Sequence, residues 1–106
     1  MLVENERLAL ADWGFASDSV FNTYFRGWDA AAKGLSVSKP EGYYILRQHL
    51  VMIWPYDAEC RLVGEHVYEN VALQQVVEIP HEDYITLDET RLALAPFLDT
   101  VPVAAV

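Results

Sequence analysis

The chain has 106 residues, 53% hydrophobic and 12% aromatic, and its 16 acidic against 7 basic residues leave a net charge of −9. That length supports one domain with a core of its own, residues 1–106, and a surface of that sign repels phosphate backbones and anionic bilayers, which argues against nucleic-acid and membrane partners. There is no run of about eighteen apolar residues, and the start "MLVENERLAL" lacks a basic-then-apolar leader, so a cytoplasmic protein is expected.

From the N-terminus, "LALADWGF" (Leu8–Phe15) and "FNTYFRGW" (Phe21–Trp28) are short and aromatic-rich, separated by "ASDS". The pattern predicts two strands and a turn, with the first strand starting as early as Leu2. In the following loop, "WDAAAKGL" has the form of a helical turn closed by Gly34. Tyr43–Trp54 is the longest predicted strand, and Arg61–Tyr68 is its hairpin partner across "PYDAEC". "VALQQVVEI" fits a helical turn or a strand equally. In "TLDETRLALAPFLD", Thr86 and Glu89 have capping-box spacing, and Pro96 is expected to end or kink that helix near Leu94. Residues 100–106 read as a loose tail. Strands, a hairpin and one late helix imply an α+β domain built on an antiparallel sheet of four or more strands.

Alternation splits the long strand into Tyr44, Leu46, Gln48, Leu50, Met52 and Trp54 on one face and Ile45, Arg47, His49, Val51 and Ile53 on the other. Its partner splits into Leu62, Gly64, His66 and Tyr68 against Val63, Glu65, Val67 and Glu69. Two registers are open, because a slip of one residue turns every side chain over. Grouping the even positions places His66 on the apolar face with Gln48, and Arg47 and His49 beside Glu65 and Glu69. The other register gathers Arg47, His49, His66 and Tyr68 but sets two glutamates beneath Leu46, Leu50 and Trp54, at a cost of several kcal/mol if they stay unpaired. Charge segregation favours the first, with the two histidines pointing apart.

In that register Gln48 needs a hydrogen-bond partner, either His66 or a ligand, while Tyr44 and Trp54 serve as wall. Tyr68 and Asn70 follow His66 as polar groups able to orient a ligand. A metal site would require His49 and His66 together with a carboxylate, so no metal is expected. No phosphate loop or nucleophile elbow is present, and no cofactor is expected. Cys60, the single cysteine, excludes an intrachain disulfide and lies beside a turn without an activating motif. His81, in "PHEDY", falls in an exposed loop or leads into a helix. The hairpin's mixed face still offers Ile45, Val51, Ile53, Val63 and Val67, more apolar surface than one short helix covers, which predicts a homodimer or higher homo-oligomer.

Glu4–Gln75 resembles the later part of the SnoaL-like branch of the nuclear transport factor 2-like superfamily. "FNTYFRGW" is similar to that family's strand and small-residue loop, "GLSVSKPEG" to its glycine-and-proline loop, "RLVGEHVYEN" to its closing strand and "NVALQQV" to the turn that follows. The resemblance implies a curved sheet wrapped into a cone of the cystatin-like kind, with a small-molecule pocket inside and dimers common. The family's acid/base aspartate falls on Asn70, which exchanges no proton at neutral pH, and Asp12 is the candidate replacement. The family's fold also begins with helices that this chain lacks, so either another subunit closes the pocket or the chain is a shortened, remodelled relative. The resulting expectation is a binding module for a small apolar or carbonyl-containing ligand. The alternative is an acid/base enzyme using His66 with Tyr68 and Asn70.

Overall fold

The computed structural model describes residues 1–98. Its elements are β1 (Leu2–Ala11), β2 (Gly14–Arg26), β3 (Tyr43–Pro55), β4 (His66–Glu69), β5 (Gln75–Ile79) and the helix α1 (Leu87–Leu98). The strands form one open antiparallel sheet in the order β1-β2-β3, and β4 and β5 lie end to end along the far edge of β3. The fold is therefore α+β, with a five-stranded sheet and one late helix. The predicted tail lies outside the described residues. No described helix is long and apolar enough to cross a membrane.

The first hairpin differs from its expectation. "ASDS" lies within β2, and the turn is Asp12–Trp13. Small polar residues usually mark turns, but Ser17 and Ser19 point into the sheet's centre, opposite Met52 and Leu50, and are 1% and 2% exposed. Glycine is required at position 14, where a Cβ would stand 2.3 Å from the Trp54 carbonyl oxygen. The stretch after β2 forms two short 3-10 turns, Gly27–Asp29 and Ala31–Lys33, the second closed by Gly34 at φ 71°. This loop folds Ala30, Leu35 and Val37 onto Phe25, Tyr44 and Leu46, making the hydrophobic cluster at that end of the sheet.

The β3–β4 register also differs, and the cause is local. Near the turn Tyr56 pairs with Leu62, even against even, as charge segregation predicts. By the time β4 forms, Ile53 lies opposite His66, so the pairing has slipped by one residue within the irregular Val63–Glu65 segment. His66 and Tyr68 consequently share a face with His49, and Glu69 turns toward Leu50. The expected penalty for a buried glutamate does not arise, because Glu69 accepts hydrogen bonds from Gln48 at 3.1 Å and Gln74 at 2.7 Å. The strand is also shorter than the predicted Arg61–Tyr68. The five aliphatic residues expected on one mixed face are divided: Ile45, Val51 and Ile53 share the histidine face, Val67 lies on the other, and Val63 falls in the irregular segment before β4.

The ambiguous "VALQQVVEI" resolves into both of its options, a 3-10 turn at Val71–Leu73 and then β5. The capping box forms as predicted: the Thr86 amide donates to Glu89 Oε2 at 3.1 Å and the Glu89 amide donates to Thr86 Oγ1 at 3.0 Å. The helix runs through Pro96 to Leu98. Pro96 comes so late that it removes a donor from the last turn alone.

Two predictions follow from these turns. Gly14→Ala drives a methyl into the Trp54 carbonyl and is expected to cost more than about 1 kcal/mol of stability in urea denaturation. In the β3–β4 turn, Asp57 accepts bonds from the amides of Arg61 and Glu59 and from Arg61 Nε, each at 2.9 Å. The Arg61 amide is the leading cause that lowers the Asp57 carboxyl below its ordinary 3.8. A depressed carboxylate pKa means that the turn is held above the unfolded pKa and loosens as pH falls through the lowered value. Carboxyl carbon NMR is expected to give a midpoint below 3.8, with the Glu59 and Arg61 amides shifting at the same pH.

Candidate functional site

Because β2 and β3 pair without interruption from Gly14 opposite Pro55 to Arg26 opposite Tyr43, alternation sorts their side chains into two chemically distinct faces. One carries Phe15, Ser17, Ser19 and Phe21 beside Gln48, Leu50, Met52 and Trp54, and is called here the phenylalanine face. The other, the histidine face, carries Asp18, Val20 and Asn22 beside Arg47, His49 and Val51.

His49 is half-buried, opposite Val20, at the point where β4 gives way to the Val71–Leu73 turn. The Asn70 amide donates to the His49 carbonyl at 3.0 Å, which ties the end of β4 to this position. A groove of about 370 Å³ opens there, lined by Asp18, His49, Val51, Tyr68, Asn70 and Leu73 together with Glu69. It adjoins a second hollow of about 500 Å³ that shares Asp18 and His49 and reaches Asn5, Glu6 and Arg7 on β1. A register shift between Glu4 and Arg7, with Asn5 in the left-handed region at φ 55°, shapes that second hollow.

The charges around the groove are fixed by neighbours. Arg7 pairs with Asp18, and that hydrogen bond, aided by the carboxylate's charge, raises the guanidinium pKa above its ordinary value. Beside His49, the buried Asn22 amide donates to Glu4 Oε1 at 2.6 Å and to the Leu2 carbonyl at 3.2 Å. Asn22 Oδ1 in turn accepts from Arg47 at 3.0 Å, and Arg47 lies 3.4 Å from Glu4. This network joins three strands at the groove's border.

The structure divides the residues singled out from sequence. Tyr68 and Asn70 line the groove, but with His49 in place of His66. His66 is exposed opposite Ile53, four residues along β3 from His49, or about 13 Å at strand rise. The two histidines thus share a face without meeting. Gln48 lies on the phenylalanine face and has found its partner in Glu69. Trp54 is on that face too, 4.6 Å from the Phe15 ring. Tyr44 is buried against Phe25, and its hydroxyl accepts from the Lys39 amide at 3.2 Å, which makes it core. Asp12 is exposed in the first turn and lines neither hollow. Among the described residues no cluster of three or more histidine, cysteine, aspartate or glutamate side chains has the geometry to hold a metal ion.

Sequence reasoning missed Asp18 and undervalued His49. The small polar run "ASDS" places Asp18 in a turn, and only the continuous β2–β3 ladder brings it diagonally across from His49, about 7–8 Å away. Chemically, the groove offers an imidazole, a phenol and a carboxamide, which both donate and accept, and a carboxylate that accepts only, over an aliphatic floor. Such a set orients a hydroxyl or carbonyl group on an otherwise apolar molecule. Comparison with protein-family models, with curated proteins and with solved structures finds no match.

The network beside the groove yields a prediction. Asn22→Ala strands Arg47 and Glu4 without their shared amide and is expected to cost about 1–3 kcal/mol by chemical denaturation.

Proposed function

We propose that this chain is a small-molecule-binding module of the SnoaL-like, nuclear transport factor 2-like kind, taking a small apolar or carbonyl-containing ligand on its histidine face. The observation that carries the proposal is the convergence of His49, Tyr68 and Asn70 on one groove floored by Val51 and Leu73. Its volume of about 370 Å³ falls within the roughly 300–1,000 Å³ range of small-ligand sites, and its mixture of an aliphatic floor and a few polar groups suits them.

A second reading, acid/base catalysis, is favoured by the placement of Asp18 near His49 in the same groove. Asn70 has no proton to exchange, so His49 takes the role of proton carrier, with Tyr68 and Asn70 polarising the substrate's oxygen. His66 stands outside that arrangement.

The test uses cyclohexanone and phenol as millimolar probes on isotope-labelled protein. Binding is expected to shift His49, Tyr68 and Asn70 together, and His49→Ala is expected to weaken it about tenfold, equivalent to about 1.4 kcal/mol. Shifts confined to the Tyr43, Tyr84 and His81 ring cluster would refute the placement. Deuterium exchange at the ketone's α carbon, faster than in buffer and lost in His49→Ala, would establish the catalytic reading.

A further inference from the structure

On the histidine face one row of side chains runs straight across four strands. Arg7 on β1 lies opposite Asp18 on β2, Asp18 opposite Val51 on β3, and Val51 opposite Tyr68 on β4. At a strand spacing of about 4.8 Å, Asp18 and Tyr68 stand about 10 Å apart, with the exposed Val51 between them. Three hollows open along this row, of about 500, 370 and 270 Å³, and Asp18 lines all of them. The groove that holds His49, Tyr68 and Asn70 is thus one part of a longer trough, and the Asp18 carboxylate stands where the parts meet.

The charges along the trough favour one sign of ligand. Glu6 and Asp18 line the largest hollow against Arg7, and among the described residues no other lysine or arginine lines any of the three. Arg7 and Asp18 pair with side chains that are 81% and 47% exposed, and an ion pair so open to water contributes little, so a ligand cation takes Asp18 from Arg7 at small cost. A ligand anion reaches Arg7 only by displacing Asp18, and then lies beside two carboxylates on a chain of net charge −9. Asn5, at φ 55° within the register shift of β1, lines the same hollow and offers a carboxamide oxygen as a further acceptor.

We propose that the ligand of this groove is a cationic amine, whose hydroxyl or carbonyl end lies against His49, Tyr68 and Asn70, whose apolar body crosses Val51, and whose ammonium is held by Asp18 with Glu6. The amine's recognition rests on the ligand-binding reading of the groove and adds to it the charge and the direction of the bound molecule, across the strands. An alkyl ammonium stays charged near neutral pH and presents three donors, while the two carboxylates only accept, so every bond at this end is charge-assisted. Asp18 is then the residue that selects among molecules with the same phenol or ketone end.

The test compares para-ethylphenol, tyramine and para-hydroxyphenylpropionate, which share one ring and hydroxyl and differ in a neutral, cationic or anionic arm, as probes of the isotope-labelled chain by NMR titration. Tyramine is expected to bind about tenfold tighter than para-ethylphenol, and the propionate more weakly than either. Contacts are expected from the tyramine ring protons to Val51 methyls and from its arm to the Asp18 β protons. Asp18→Asn is expected to reduce the ratio of tyramine to para-ethylphenol affinity to within about threefold, and Arg7→Gln, at an exposed position, to widen it by freeing Asp18. Groove shifts from para-ethylphenol with tyramine no tighter, or with the propionate tightest, would overturn the amine and leave the groove a ligand site. A tyramine preference that survives Asp18→Asn, or narrows in Arg7→Gln, would overturn the role of Asp18. Absence of groove shifts from all three probes would overturn the ligand-binding reading, and the amine with it.

Discussion

The structure depends on one ladder, the uninterrupted antiparallel pairing of β2 with β3 over the full length of both strands. Every other strand attaches to this pair: β1 to the free edge of β2, and β4 and β5 in succession to the free edge of β3. A two-residue period maintained over such a length leaves no freedom in which side chains share a face. It separates Asp18, Asn22, Arg47 and His49 from Phe15, Phe21, Leu50 and Trp54. The chemistry of each face is thus a consequence of one register.

Departures from regularity are concentrated on the shorter strands, where they cost few ladder bonds. The shift between Glu4 and Arg7 redirects β1 around Asn5 and deepens the hollow beside His49. The slip within Val63–Glu65 turns β4 over, carrying Tyr68 to the groove and Glu69 to its two glutamines. Without that extra residue Val67 would occupy the position of Tyr68, and the groove would lose its phenol. A local irregularity of the backbone has therefore decided the polar composition of the candidate site.

The polar network and the aromatic clusters divide the task of holding the sheet. In the middle, Glu4, Asn22 and Arg47 satisfy one another across three strands, so that burial of the Asn22 amide carries no desolvation penalty. At the end near β5, the Arg26 guanidinium is sandwiched 4.0 Å from the Trp28 ring centre and 3.9 Å from that of Tyr43, with Tyr24, Tyr84 and His81 in contact around them. The groove lies between this end and the β3–β4 turn, and Val51 in its floor cannot shift without breaking ladder bonds. A site that orients a ligand gains from such a floor.

The amino-acid sequence alone determined the α+β class, the extent of the long strand from Tyr43, the helix start at Thr86 and the closure at Gly34, because each follows from interactions within a few residues: alternation, a capping box, a left-handed glycine. It also singled out Tyr68 and Asn70. Tertiary structure alone decided that "ASDS" is strand, since the neighbouring strands β1 and β3 remove Ser17 and Ser19 from water. It decided too that His49, and not His66, joins Tyr68 and Asn70. That choice turned on a one-residue slip whose expected penalty was cancelled by Gln48 and Gln74, the second on a segment that local pattern left undetermined. Charge segregation failed as a guide to register because a carboxylate's cost depends on the donors that reach it, and those donors come from elsewhere in the chain.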